Sequence, residues 1–426
     1  MLLSSLAAPF WSRCRSTSRD RDDRRARYPF CLKIVVVSYK NRSKNQSRRD
    51  DLKPAPFRAD HVGSLIRPDY LIEARQQCAA GEIGADELKS VQEEAIREVV
   101  ALQEAIGLCS VTDGEYNRGS WHTDFLLRFE NVEPHQSAHK STFRNAEGTI
   151  ENKPHTVRVT GKLGRPNQIF VDDFKFLKSV TRETPKITIP SPSIMHFRGG
   201  REAIDTVAYP TMDEFYADLA SVYAQEIGDL ADAGCRYLQI DETNFAYLCD
   251  PALRAQVQTS IGEDPEELPH IYARLINAAI AGRPDDMAVC MHVCRGNFAG
   301  RWVAEGGYEP VADVMFNELN IDGYFLEYDS ERAGGFEPLR FVPKGKRVVL
   351  GLVTTKHGQM ESADELKRRI EEAAKFVDIE QLALSPQCGF SSGIGGNTMG
   401  IEDEKAKLSL VVKVAEEVWG AARAIS

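Results

Sequence analysis

The sequence predicts an α/β protein folded as a (β/α)8 TIM barrel, and three observations carry that expectation. Eight short β-rich runs, at residues 57–65, 109–115, 186–189, 237–241, 287–293, 323–328, 347–353 and 382–388, are mostly separated by amphipathic stretches of helical spacing. The alternation covers roughly 370 residues, a length that one such barrel fills. No GxGxxG follows the first run, which counts against the alternative of an open doubly wound sheet with a dinucleotide site.

In chain order, residues 1–54 stand apart as an N-terminal extension, disordered or spuriously translated, and residues 55–426 form the barrel. The first 50 residues carry 13 Lys/Arg against 4 Asp/Glu, whereas the remainder carries 40 against 59. Asp20, Asp22 and Asp23 argue against a transit peptide, and Arg13 and Arg15 follow rather than precede the apolar start, unlike a secretory signal. After the second β-rich run, residues 125–178 break the rhythm: they are polar and contain the alternating run Thr156-Val157-Arg158-Val159-Thr160. This reads as a β-hairpin insertion, placed where loops at a barrel's mouth build its site, and is a candidate lid. Further on, helices are expected over 211–233, 362–377 and 403–422, with Asp213 behind Thr211 and the capping-box pattern Ser362-Ala363-Asp364-Glu365 as start signals.

Composition narrows the function classes. The net charge of −10 argues against non-specific nucleic-acid binding, and no apolar run has the length of a membrane span. Nine cysteines scattered along a long chain read as thiols of a reducing, cytoplasmic setting, some of them ligands.

The strongest chemical signal is His292-Val293-Cys294 at the end of the fifth run. Residues two apart on a strand share a face, so the imidazole and thiol point together. Glu327 closes the sixth run and Cys388 the eighth. In a barrel all four reach the C-terminal mouth, and an imidazole, two thiolates and a carboxylate suit tetrahedral Zn2+. Taken without the barrel, His292 and Cys294 are as readily a packed pair. His61, Trp121, His122, His196, Ser191 and Ser193 are weaker candidates, each with a packing explanation beside a functional one.

Together Arg58-Ala59-Asp60-His61-Val62-Gly63-Ser64, Asp113-Gly114-Glu115, Ile240-Asp241-Glu242, His292-Val293-Cys294 and Gln387-Cys388-Gly389 resemble the catalytic domain of cobalamin-independent methionine synthases. The likeness runs from about residue 57 to the C-terminus and is nearest to the short, single-barrel members, in a superfamily that also holds uroporphyrinogen decarboxylase-like barrels. The resemblance implies methyl transfer from 5-methyltetrahydrofolate to the thiol of homocysteine, with zinc fixing the thiolate. It also implies that Ser64 holds the homocysteine carboxylate and that Glu115 and Asp241 receive its ammonium group. An alternative within the superfamily is alkyl transfer to another thiol, as in an epoxyalkane:coenzyme M transferase, which would need a cationic clamp in place of those two carboxylates. Counting back from Cys388 by the family's interval lands on Lys356 with His357 beside it, one of which is expected to protonate the leaving amine or to bind the donor as a charge.

Overall fold

The computed structural model of the chain describes residues 55–136, 141–145, 147–152, 155–391, 393 and 399–422. The expected N-terminal extension, residues 1–54, lies outside these. The strands are β1 (Ser110–Val111), β2 (Glu130–Gln136), β3 (Ser141–Asn145), β4 (Gly148–Asn152), β5 (His155–Gly164), β6 (Thr184–Pro185), β7 (Ile187–Pro190), β8 (Tyr237–Glu242), β9 (Ala288–Val293), β10 (Gly323–Glu327), β11 (Arg347–Val353) and β12 (Leu382–Pro386). From β7 to β12 they form one six-stranded parallel sheet in which each strand pairs with the next in sequence.

Hydrogen bonds carry this order beyond the sheet. On one side β6 runs into β7 and pairs in parallel with β1, and Lys186 N–H donates to Val111 O at 2.8 Å. Next to β1, Leu65 N–H donates to Gly114 O at 3.1 Å and the Thr112 hydroxyl to Gly63 O at 2.6 Å. The same N-terminal segment meets the far edge of the sheet: Ala59 bridges Leu384 of β12, and Asp60 N–H donates to Leu384 O at 3.1 Å. Instead of a full strand over 57–65, the sequence there makes this single bridge.

Burial explains why these strands are so apolar. Every residue of β8, β9, β10 and β12 is buried, the signature of a parallel sheet covered on both faces. The helices Met212–Asp232 and Leu268–Ile280 pack against each other and turn apolar faces inward, including Leu219, Tyr223, Tyr272 and Ile276. Thr211 caps the first of these, accepting from Glu214 N–H, as its sequence suggests. The capping box expected at Ser362 does not form; Ser362 makes no side-chain cap bond, and Asp364 and Glu365 in the first turn favour the helix Ala363–Ala373 through its dipole. The last helix begins at Ile401, where Gly400 N–H donates to Asp403.

Within the polar stretch, β2 pairs antiparallel with β5 and β3 with β4. β5 is rooted in the body through buried Val157 and Val159, while Arg158 and Thr160 face out, the period of a half-buried strand.

Candidate active site

Parallel strands end on one side of the sheet, and the predicted site residues come from those ends. His292 is the penultimate residue of β9, Cys294 lies just past its end, and Cys388 lies two residues beyond β12. Their ligand atoms all lie within 4.8 Å of one another, and all three residues are buried. The two sulfurs are 3.5 Å apart. Glu327, the last residue of β10, touches the edge of this group, with Oε1 3.9 Å from Cys294 Sγ. Its other oxygen is taken up by Arg332 at 3.2 Å and by Arg295 N–H at 3.2 Å, and Gln387 Nε2 donates to Oε1 at 3.3 Å.

The chemistry of these donors fits a divalent metal. Neither ring nitrogen of His292 makes a hydrogen bond of ordinary geometry although both are enclosed, which is unusual for buried polar atoms. The Cys388 thiol and burial push the Cys294 thiol well up, so Cys294 ionises only against a strong positive charge. Burial opposes ionisation of Glu327 as well, but Arg332 and Lys356 hold its carboxyl below the usual range.

A second group of anions stands beside the first. Glu115 follows β1 at a φ of 60°, the left-handed region that few side chains enter. Its backbone is fixed there by Asp113, which accepts from Glu115 N–H at 2.9 Å, and by Arg67, which donates to its carbonyl at 2.8 Å. Oε1 accepts from the Thr188 hydroxyl at 2.9 Å and lies 3.7 Å from Arg118, while Oε2 has no partner. Burial raises this carboxyl to about 7, with Arg118 opposing and Asp241 adding to the shift. Asp241, in β8, is likewise raised by burial; His292 opposes, and Gln239 donates to Oδ1 at 2.7 Å. Gly63 makes the approach possible: its φ is 140°, and a Cβ there would meet Thr188 Cγ2 at 2.7 Å.

One cavity of about 930 Å3 joins these groups, lined by Ser64, Glu115, Asp241, His292, Cys294 and Cys388. Six of the nine residues singled out as site residues are thus brought together, with Glu327 just behind. Lys356 and His357 are not brought to it. Lys356 Nζ pairs with Asp329 at 3.2 Å, His357 is exposed, and neither lines the cavity.

Among the weaker candidates, Trp121 and His122 line the cavity, whereas His196 is packed between Tyr272 and Tyr216. His61 is fully buried and is not a lining residue; burial and Lys186 push its pKa down to about 3. Ser193 is bonded to Glu242 and Asn244. The sequence reading missed Arg144, His155, Arg198 and Tyr247, which also line the cavity. Tyr247 follows the end of β8 by five residues and Arg198 the end of β7 by eight, and that position was the available signal.

The fold places a buried His–Cys–Cys group, a donor set that could hold a metal ion, at the strand ends of a parallel α/β sheet. The family model for the catalytic domain of cobalamin-independent synthases matches residues 58–417, so the chain belongs to that family and is an enzyme of the methyltransferase class. It is 46% identical to the uncharacterized protein YxjH of Bacillus subtilis (strain 168), over 86% of this chain and 96% of that one. It is 25% identical to the methionine synthase of Pyrococcus abyssi, over 77% of this chain and 84% of that one. A solved structure from Listeria monocytogenes, described provisionally as a vitamin-B12 independent methionine synthase, superposes with a TM-score of 0.69 at 38% identity, covering 86% of this chain and 99% of that one.

Proposed function

We propose that the chain transfers a methyl group from 5-methyltetrahydrofolate to the thiol of homocysteine, giving methionine, with Zn2+ as its resident metal. The observation that carries this reading is that the buried His292, Cys294 and Cys388 open into the same cavity as Glu115 and Asp241. In this reading the circuit of parallel strands is a (β/α)8 barrel formed by residues 55–426, and the antiparallel pairs are an insertion after its second strand. Among the described residues no helix is long and apolar enough to cross a membrane, in keeping with an enzyme of small molecules in the cytoplasm.

His292, Cys294, Cys388 and Glu327 would hold the metal, a ligand set of tetrahedral zinc type. Bound zinc supplies the charge that keeps a substrate thiol in its nucleophilic thiolate form near neutral pH. Glu115 and Asp241 receive the ammonium group of the amino acid, and Ser64 its carboxylate. Arg332 and Lys356 keep Glu327 anionic, a task for Lys356 that needs no contact with substrate. Neither Lys356 nor His357 is assigned the proton transfer, since neither faces the cavity.

The test is purified protein given homocysteine and a panel of methyl donors, with methionine as readout. Methyltetrahydrofolate should support turnover. A thiol without an amino group should react far more slowly; equal rates would replace this reading with alkyl transfer to another thiol, such as coenzyme M.

A further inference from the structure

The tip of the polar insertion is fastened to the opposite wall of the cavity. Arg144 of β3 exchanges two backbone hydrogen bonds with Trp302, at 2.9 and 3.0 Å, in an isolated antiparallel bridge. Its guanidinium reaches Asp250 Oδ2 at 3.0 Å, Val303 O at 3.2 Å and Glu305 Oε1 at 3.7 Å. Phe143 packs on Phe298 with ring centroids 5.4 Å apart. Ser141, Thr142, Phe143 and Arg144 all line the cavity.

What the tip is fastened to gives the contact its meaning. Residues 297–303 continue directly from Cys294, and Val303 N–H and Ala304 N–H both donate to Arg295 O, at 3.0 and 3.1 Å. The Trp302 ring in turn carries the Arg332 guanidinium 5.1 Å from its centroid, and Arg332 is one of the residues that hold Glu327. A contiguous set of contacts therefore runs from the insertion to the carboxylate beside the His–Cys–Cys group.

We infer that the β3–β4 ribbon is a strap closed over the cavity, and that Arg144 is the positioning residue that latches it. Two carboxylates face one guanidinium at the latch; Glu305 is exposed and adds little, but Asp250 is buried and its charged hydrogen bond with Arg144 carries the contact. With the thiol beside the metal ligands and its ammonium at Glu115 and Asp241, the walls left for the methyl donor include the strap. The kinetic consequence rests on the methyl-transfer reading; the latch itself does not.

The experiment compares the full-length chain with Arg144→Ala, Arg144→Lys and Arg158→Ala, the last removing an exposed ion pair with Glu133 at the root of the insertion. Trp302 fluorescence, isolated as the difference between each protein and its Trp302→Phe counterpart, is quenched with acrylamide. Opening the latch should make Trp302 markedly more accessible in Arg144→Ala only, and Arg144→Lys should restore most of its protection. In turnover, the donor KM should rise about tenfold in Arg144→Ala, the size expected for one lost charged hydrogen bond, with the homocysteine KM within about twofold. Unchanged Trp302 quenching in Arg144→Ala overturns the latch, as does an equal effect of Arg158→Ala. An equal rise in both KM values overturns the strap's role over the donor. If no donor supports turnover, the methyl-transfer reading fails while the quenching result still decides the latch.

Discussion

Burial disfavours the charged form of the Glu115 carboxyl. This carboxyl is raised to about 7, so below that pH it is largely protonated and offers an incoming ammonium group no charge. The homocysteine KM should therefore rise as the pH falls through about 7, and Glu115→Gln should raise it and flatten that dependence. Asp241→Asn should raise the KM by roughly 1.5–3 kcal/mol worth of binding, the value of a charged hydrogen bond, while metal content stays normal. A homocysteine KM independent of pH between about 5.5 and 8 in the native enzyme would count against Glu115 in this role. The residues of the cluster were legible in the sequence because strand spacing fixes direction: His292 and Cys294, two apart, must share a face. The interval that pointed to Lys356 and His357 gives a position along the chain but not where a side chain points, and neither residue lines the cavity. Arg144 and His155 gave no signal, since they reach the cavity through the path of the insertion.

The last helix, Ile401–Trp419, shows the same limit for elements. Its apolar period announced it, and Leu408, Val411 and Val412 are buried as that period requires. The period did not announce Glu404, an acid fully buried on the same inward face. One oxygen accepts from Ile66 N–H at 2.8 Å and the other has no partner, tying the helix to the segment that carries Ser64. Burial raises this carboxyl to about 8. The folded state thus keeps a proton that the unfolded chain releases near 4.5, so this group's contribution to stability declines as the pH rises from about 4.5 through 8. Denaturant unfolding at several pH values should show this decline in the native protein, a few kcal/mol in all, and lose it in Glu404→Gln. Parallel slopes for the two proteins would contradict it. The capping box expected at Ser362 failed for a related reason: the pattern supplies the groups, but whether they meet depends on how the chain enters the helix.

For the whole molecule, the parallel order was legible because βα alternation leaves few topologies, whereas the inside of the fold was not. There Lys186 Nζ lies 3.0 Å from Asp60 Oδ1, both side chains fully buried, with the Tyr237 and Ser110 hydroxyls each donating to Asp60 at 2.8 Å. Lys186→Met would strand the Asp60 charge and should cost about 3–5 kcal/mol of stability, much of it returned by adding Asp60→Leu; a loss below about 1 kcal/mol would show that the pair bears little weight. The proposed methyl transfer by this chain depends on a metal held at the strand ends by His292, Cys294 and Cys388. The most direct measurement is zinc per chain, by emission spectroscopy, on the native protein and on Cys388→Ser purified alike. The native chain should carry about one zinc and Cys388→Ser close to none, with methionine formation lost in step. A Cys388→Ser protein that keeps its full zinc and its activity would contradict the assignment.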